Sequence, residues 1–224
     1  MPFLIERYVI NFSVVVLCTA GLIGMLRYRR LDRSMRLLLA LTLLAMAVSA
    51  VAMVLRHQHR PNLFLFPIDT AIEGTLLALM YRHALRPLPI TRLIPGFIAL
   101  FLLGSAISYS PRLDTVEFSP VQHFIEGVAV LTLVFCYFRR EIMRKVVTRH
   151  LERDPMFWVS TGLLLYFSAN LLIFLTSNLV LKYSLDISRH VWAIHALLYA
   201  FLNVFYCIAF SIARRSPAQA NAAQ

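Results

Sequence analysis

Asp69 and Glu73 stand four residues apart in Pro67–Tyr81, a stretch otherwise apolar enough to cross a membrane. On a helix, residues at i and i+4 share a face, so both carboxyls can address one partner or one water-filled pocket. A charged acid at the centre of a spanning helix costs a few kcal/mol or more, so such residues turn inward and mark a ligand site or a proton relay by default. The competing reading is a protonated acid that only hydrogen-bonds a neighbouring helix. Further along, His123 and Glu126 repeat the pattern at a spacing of three, and Asn170, Asn178, His195 and Asn203 add uncharged polar groups to the last two apolar runs. These eight residues are the candidate ligand- or proton-binding set.

Carboxylates and imidazoles such as Asp69, Glu73, His123, Glu126 and His195 are also competent metal ligands. No spacing among them matches HExxH, and GxSxG is absent, so the sequence selects no metal, catalytic residue or cofactor. Cys18, Cys136 and Cys207 fall in apolar runs without CxxC spacing and read as inert packing residues. A retinal Schiff base is excluded, because the only lysines, Lys145 and Lys182, fall in connections between runs.

These side chains need helices to hold them. With 59% hydrophobic residues and a mean hydropathy of +0.71, the chain is far more apolar than a soluble domain and reads as an all-α, multi-pass membrane protein. A net charge of +11 would suggest nucleic acid in a soluble protein, but here the basic residues sit in short clusters between apolar runs and form no base-reading motif. A spanning helix needs about 20 mostly apolar residues. Seven runs qualify: 8–26, 37–55, 63–81, 94–110, 121–138, 156–181 and 190–212. They make one seven-helix transmembrane domain over 1–215, followed by a disordered tail at 216–224; the first helix is expected to be retained, since no convincing cleavage site follows it.

Sixteen of the 22 Lys and Arg fall on one side of these runs, in the connections after the first, third, fifth and seventh. The positive-inside rule then puts the N-terminus outside and the C-terminus in the cytoplasm of a bacterial inner membrane. At ~1.5 Å per residue Asp69 lies ~9 Å deep, Glu73 ~15 Å deep, and Glu126 and His195 ~8 Å deep, so the polar groups converge in the outer leaflet. In the basic connection 139–153, Ile142, Met143, Val146, Val147 and Leu151 recur at helical spacing, as in a helix lying on anionic lipid or a docking surface for a membrane-protein partner.

Two further patterns organise the chain. Pro67 and Ile72-Glu73-Gly74 recur as Pro120 and Ile125-Glu126-Gly127, which suggests a parallel duplication of the third and fourth runs in the fifth and sixth. The last two runs carry Tyr166, Ser168, Phe174, Tyr199 and Tyr206, of which Tyr166, Phe174 and Tyr199 read as packing residues, while Trp158 and Trp192 fall at opposite interfaces.

Pro61-Asn62-Leu63-Phe64-Leu65-Phe66 leading to Ile72-Glu73-Gly74, then Phe157-Trp158, Leu165-Tyr166-Phe167-Ser168, Phe174, Ser177-Asn178, Trp192, His195 and Asn203, resemble a group of small, uncharacterised bacterial seven-helix membrane proteins. The resemblance implies the helix count and, because similar proteins accompany membrane histidine kinases, an association with signalling. The leading expectation is a sensory or receptor-like protein, not an enzyme, whose outer-leaflet pocket takes a small ligand or proton and passes a signal to a separate effector. The alternatives are a small proton-coupled transporter and an intramembrane lipid enzyme.

Overall fold

The computed structural model describes residues 2–109, 120–144, 151–183 and 185–213. Among these the regular structure is entirely helical: α1 (Pro2–Leu26), α2 (Arg33–His57), α3 (Leu65–Ala84), α4 (Ile94–Ser108), α5 (Pro120–Arg144), α6 (Pro155–Tyr183) and α7 (Leu185–Ile212). Among the described residues, four helical stretches are long and apolar enough to cross a membrane: Tyr8–Leu26, Arg33–His57, Val121–Met143 and Ala193–Ile212. The helix α3 is less apolar because it carries Asp69, Glu73 and Arg82, and α4 is apolar but only 15 residues long.

Local chemistry starts and ends these helices. Asp32 caps α2 by accepting from the backbone N–H of Met35 at 2.8 Å, and Asp154 caps α6 by accepting from Met156 N–H at 3.0 Å. Pro120 and Pro155 take the first helical position of α5 and α6, where a missing N–H costs nothing. Arginines bind the free carbonyls at two helix ends, Arg27 on Ser211 and Arg140 on Ala84.

One expectation shifts. Residues 185–189 are not a connection, because α7 already begins at Leu185 and α6 runs on to Tyr183. Lys182 and Arg189 marked the edges of the apolar runs, but a helix persists past the hydrocarbon wherever its backbone hydrogen bonds continue. Segment 139–153, with its helical spacing, begins as an extension of α5, which runs through Arg144 with Ile142 and Met143 exposed, while Val146 and Val147 lie outside the described residues.

The principal contacts, α1–α2, α2–α3, α3–α5, α5–α6, α6–α7 and α7–α1, close a ring of six helices, and α4 packs on α3 outside it. Large apolar side chains such as Ile107, Phe135 and Phe201 cover the outside, as a lipid-facing surface requires. Inside, Leu38, Leu77, Tyr81, Val134, Leu163, Leu202 and Phe210 fill one half of the ring with a close-packed core. The other half is looser: in α2, no residue after Thr42 is fully buried.

Candidate functional site

That looser half holds a cavity of about 220 Å³. Each wall follows from helical periodicity. From α3 come Asp69, Thr70 and Glu73; from α5, His123 and Glu126; from α6, Tyr166 and Phe167; from α7, His195, Tyr199, Leu202, Asn203 and Tyr206. The facing wall is one stripe of α2, mostly small or apolar, with Thr42, Ala45, Val48, Ser49 and Ala52 leading up to Arg56. Arg56, Asn62, Leu65 and Phe66 place the cavity toward the end of the ring where α2 hands over to α3.

Six of the eight candidate residues, Asp69, Glu73, His123, Glu126, His195 and Asn203, are thus brought to one cavity. Asn170 stands behind it, and its Oδ1 accepts from His195 Nδ1 at 2.9 Å, which sets the ring's orientation. The side chain of Asn178 lies outside the described residues, as do those of Phe174 and Trp192. Tyr166 and Tyr199 line the cavity and are not only packing residues; Tyr166 lies 5.8 Å from the His195 ring and 6.0 Å from Tyr199 between centroids. Ser168 is exposed on the outside. Cys18 is exposed too, not packed in the core, and Cys136 and Cys207 are half-buried.

The helices α3 and α5 meet in register. Thr70 Oγ1 and His123 Nε2 are hydrogen-bonded at 2.8 Å. Nearby, Gln122 Nε2 donates to the Pro67 carbonyl at 2.8 Å and to Ser105 Oγ of α4 at 3.0 Å. Gly74 lets the two helices approach: a methyl in place of its hydrogen would sit 3.3 Å from Glu126 Oε1 and 2.9 Å from the Phe101 ring. The duplication read from the sequence is confined to this pair, because α4 lies outside the ring while its counterpart α6 is part of it.

Four deeply buried polar atoms have no hydrogen-bond partner among the described residues: Glu126 Oε1, Asn203 Oδ1, Tyr206 OH and Asn170 Nδ2. The first three belong to side chains that line the cavity. Each such atom costs about 1–3 kcal/mol if nothing satisfies it, so a polar partner beside it, water included, is favoured. Among the described residues, no three His, Cys, Asp or Glu side chains are grouped to hold a metal ion, so the five candidate ligands do not assemble into a metal site.

The residues that sequence reasoning passed over are Thr70, Asn62 and Arg56. Thr70 corresponds to His123 inside the Pro67/Pro120 repeat, and comparing the positions three residues after each proline would have found it. Arg56 had been read only as a topological charge at a helix end. Comparison with protein-family models, curated proteins and solved structures finds no significant match to this chain, so function has to be read from the chemistry of the cavity itself.

Proposed function

We propose that the chain is a sensory, receptor-like protein of the bacterial inner membrane, with seven spans, the N-terminus outside and the C-terminus cytoplasmic. The Lys and Arg bias supports this orientation, under which the cavity opens at the outer face. The short α4 suits a peripheral span beside a locally thinned bilayer. The observation that carries the reading is the cavity of about 220 Å³ lined by Asp69, Glu73 and Glu126, with buried polar atoms left to be satisfied.

A small ligand or proton entering from outside would alter the interactions of α3, α5 and α7 at once, because each contributes a polar wall. A ligand can shift an equilibrium only through its differential affinity for two states, and here it would do so through the pair of inward-running helices α3 and α5. The readout would be the basic cytoplasmic ends, above all segment 139–153, presented to a separate membrane-protein effector and to anionic lipid. A transporter is favoured less, since α3 and α5 continue as unbroken helices through Gly74 and Gly127.

Spin labels at Leu26→Cys and Ile142→Cys, both exposed positions near the proposed cytoplasmic ends of α1 and α5, in a chain with Cys18, Cys136 and Cys207 replaced by Ser, test this reading. The expected result is two distance populations whose ratio changes in Glu126→Gln, because that substitution removes one of the three carboxyls from the cavity. A single distance, unaltered by Glu126→Gln, would overturn the sensor reading.

A further inference from the structure

We infer that the cavity receives a compact organic ammonium ion, an amine with a small apolar body. The inference deepens the sensor reading by naming the ligand class, and rests on it for the site alone. Its first ground is the kind of polar atom left over. Three unpartnered buried atoms belong to side chains that line the cavity: Asn203 Oδ1 accepts, Glu126 Oε1 accepts when its carboxyl is ionised, and Tyr206 OH can accept as well. Glu126 is 3% exposed and Asn203 is fully buried, so both are shielded from bulk water. Asp69 and Glu73 on the same surface add further acceptors. With the carboxyls ionised, this wall matches a ligand that brings several N–H donors and a positive charge, and an ammonium brings both.

The second ground is the remaining lining. Tyr166 and Tyr199 form a contiguous aromatic surface beside the acids, the setting that attracts a cation through the ring face. Opposite them, Ala45, Val48 and Ala52 of α2, interrupted by the hydroxyls of Thr42 and Ser49, offer a mostly apolar wall suited to a hydrocarbon body. Size sets the scale: a cavity of ~150 Å³ takes one benzene ring, so about 220 Å³ holds roughly nine heavy atoms. That admits a phenylethyl- or butyl-ammonium and excludes a lipid. Among the described residues, no group of three His, Cys, Asp or Glu side chains offers a bare metal ion its coordination set. An anion would face three carboxyls against the single guanidinium of Arg56 at the exposed rim.

The test is calorimetric titration of the purified full-length chain in lipid nanodiscs with 2-phenylethylammonium, n-butylammonium, 2-phenylethanol and phenylacetate. Saturable binding of 2-phenylethylammonium is expected, with the alcohol and the carboxylate at least tenfold weaker. Glu126→Gln should weaken the ammonium at least tenfold, and Glu141→Gln, a buried acid of α5 that does not line the cavity, should leave it unchanged. If Glu126→Gln does not fold, Glu73→Gln must show the same loss. Equal affinity for the alcohol (a general apolar pocket), preference for phenylacetate (an anion site at Arg56), no saturable binding of either amine, or no loss in the folded Gln variant would each overturn the inference. Amine binding with a single, fixed label distance would leave this inference standing and remove the sensor reading; two shifting populations without amine binding would do the reverse.

Discussion

Thr70 of α3 and His123 of α5, 53 positions apart, are joined by a 2.8 Å hydrogen bond between Oγ1 and Nε2. The same interval separates Pro67 from Pro120, Glu73 from Glu126 and Gly74 from Gly127, so equivalent positions of the two helices face each other side by side. One turn further along, Glu73 and Glu126 therefore reach the same cavity. Thr70→Val is expected to cost roughly 0.6–1.7 kcal/mol, the range for interhelical hydrogen bonds in membranes. Reversible unfolding in mixed micelles measures it, and combining the change with His123→Phe should cost less than the sum of the two single changes.

Glycine substitutions should rank by what the new methyl meets. At Gly162 it would lie 2.9 Å from Phe205 Cβ, an atom fixed to the α7 backbone, so α6 and α7 must separate at a cost of about 1–3 kcal/mol. At Gly74 it would lie 2.9 Å from the edge of the Phe101 ring, on the peripheral α4, which can yield more cheaply. At Gly96 it would meet nothing within 4 Å, and Ala there should be neutral or stabilise by up to ~1 kcal/mol. Thermal unfolding of the three Ala variants checks the order, and a Gly162→Ala protein as stable as the parent would contradict it.

Asp154 holds the start of α6 with both oxygens, Oδ1 on Met156 N–H at 3.0 Å and Oδ2 on Tyr137 OH at 3.0 Å. Asp154→Ala should therefore cost more than an ordinary lost cap, whose usual range is about 0.5–2 kcal/mol. Tyr137→Phe removes only one of the two bonds and should cost less. Chemical unfolding of both variants decides between this account and one in which Tyr137 matters for packing alone.

The apolar runs were legible because lipid permits few polar residues, and the acids were legible as exceptions to that rule. Asp69, Glu73 and Glu126 could be placed on one surface from spacing and topology alone, without knowledge of the ring. The ring itself was not legible. Nothing in Ile94–Ser108 distinguishes a helix packed on α3 from one inside the bundle, since lipid and core accept the same apolar side chains. The cavity's far wall was hidden for a related reason: Ala45, Val48 and Ala52 carry no chemistry, and their meaning lies in the space they leave. Arg56 was legible only as a boundary charge at a helix end; that it also lines the cavity depends on how α2 packs against α3.

His83 lies just beyond the 63–81 span, and burial, then the charges of Arg33, Arg86 and Arg82, hold its imidazole below the usual histidine range. A depressed pKa in the folded chain means that the unfolded chain binds the proton more readily. The stability this provides is complete above the unfolded value of about 6.5 and is lost as pH falls through the folded value. His83→Gln should make unfolding less dependent on pH below about 6.5; an unchanged pH profile would remove this role.

The most direct measurement of the central claim uses Ala52→Cys, on the α2 wall of the cavity one turn from Arg56, in a chain with Cys18, Cys136 and Cys207 replaced by Ser. Membrane-impermeant methanethiosulfonate reagents, one bearing trimethylammonium and one bearing sulfonate, are applied from either side of a sealed vesicle of known orientation. An outward-opening cavity of acids predicts modification from the outside, at least tenfold faster for the cation than for the anion, with the difference reduced in Glu73→Gln. Modification only from the cytoplasmic side, no modification, or a faster anion would contradict the account.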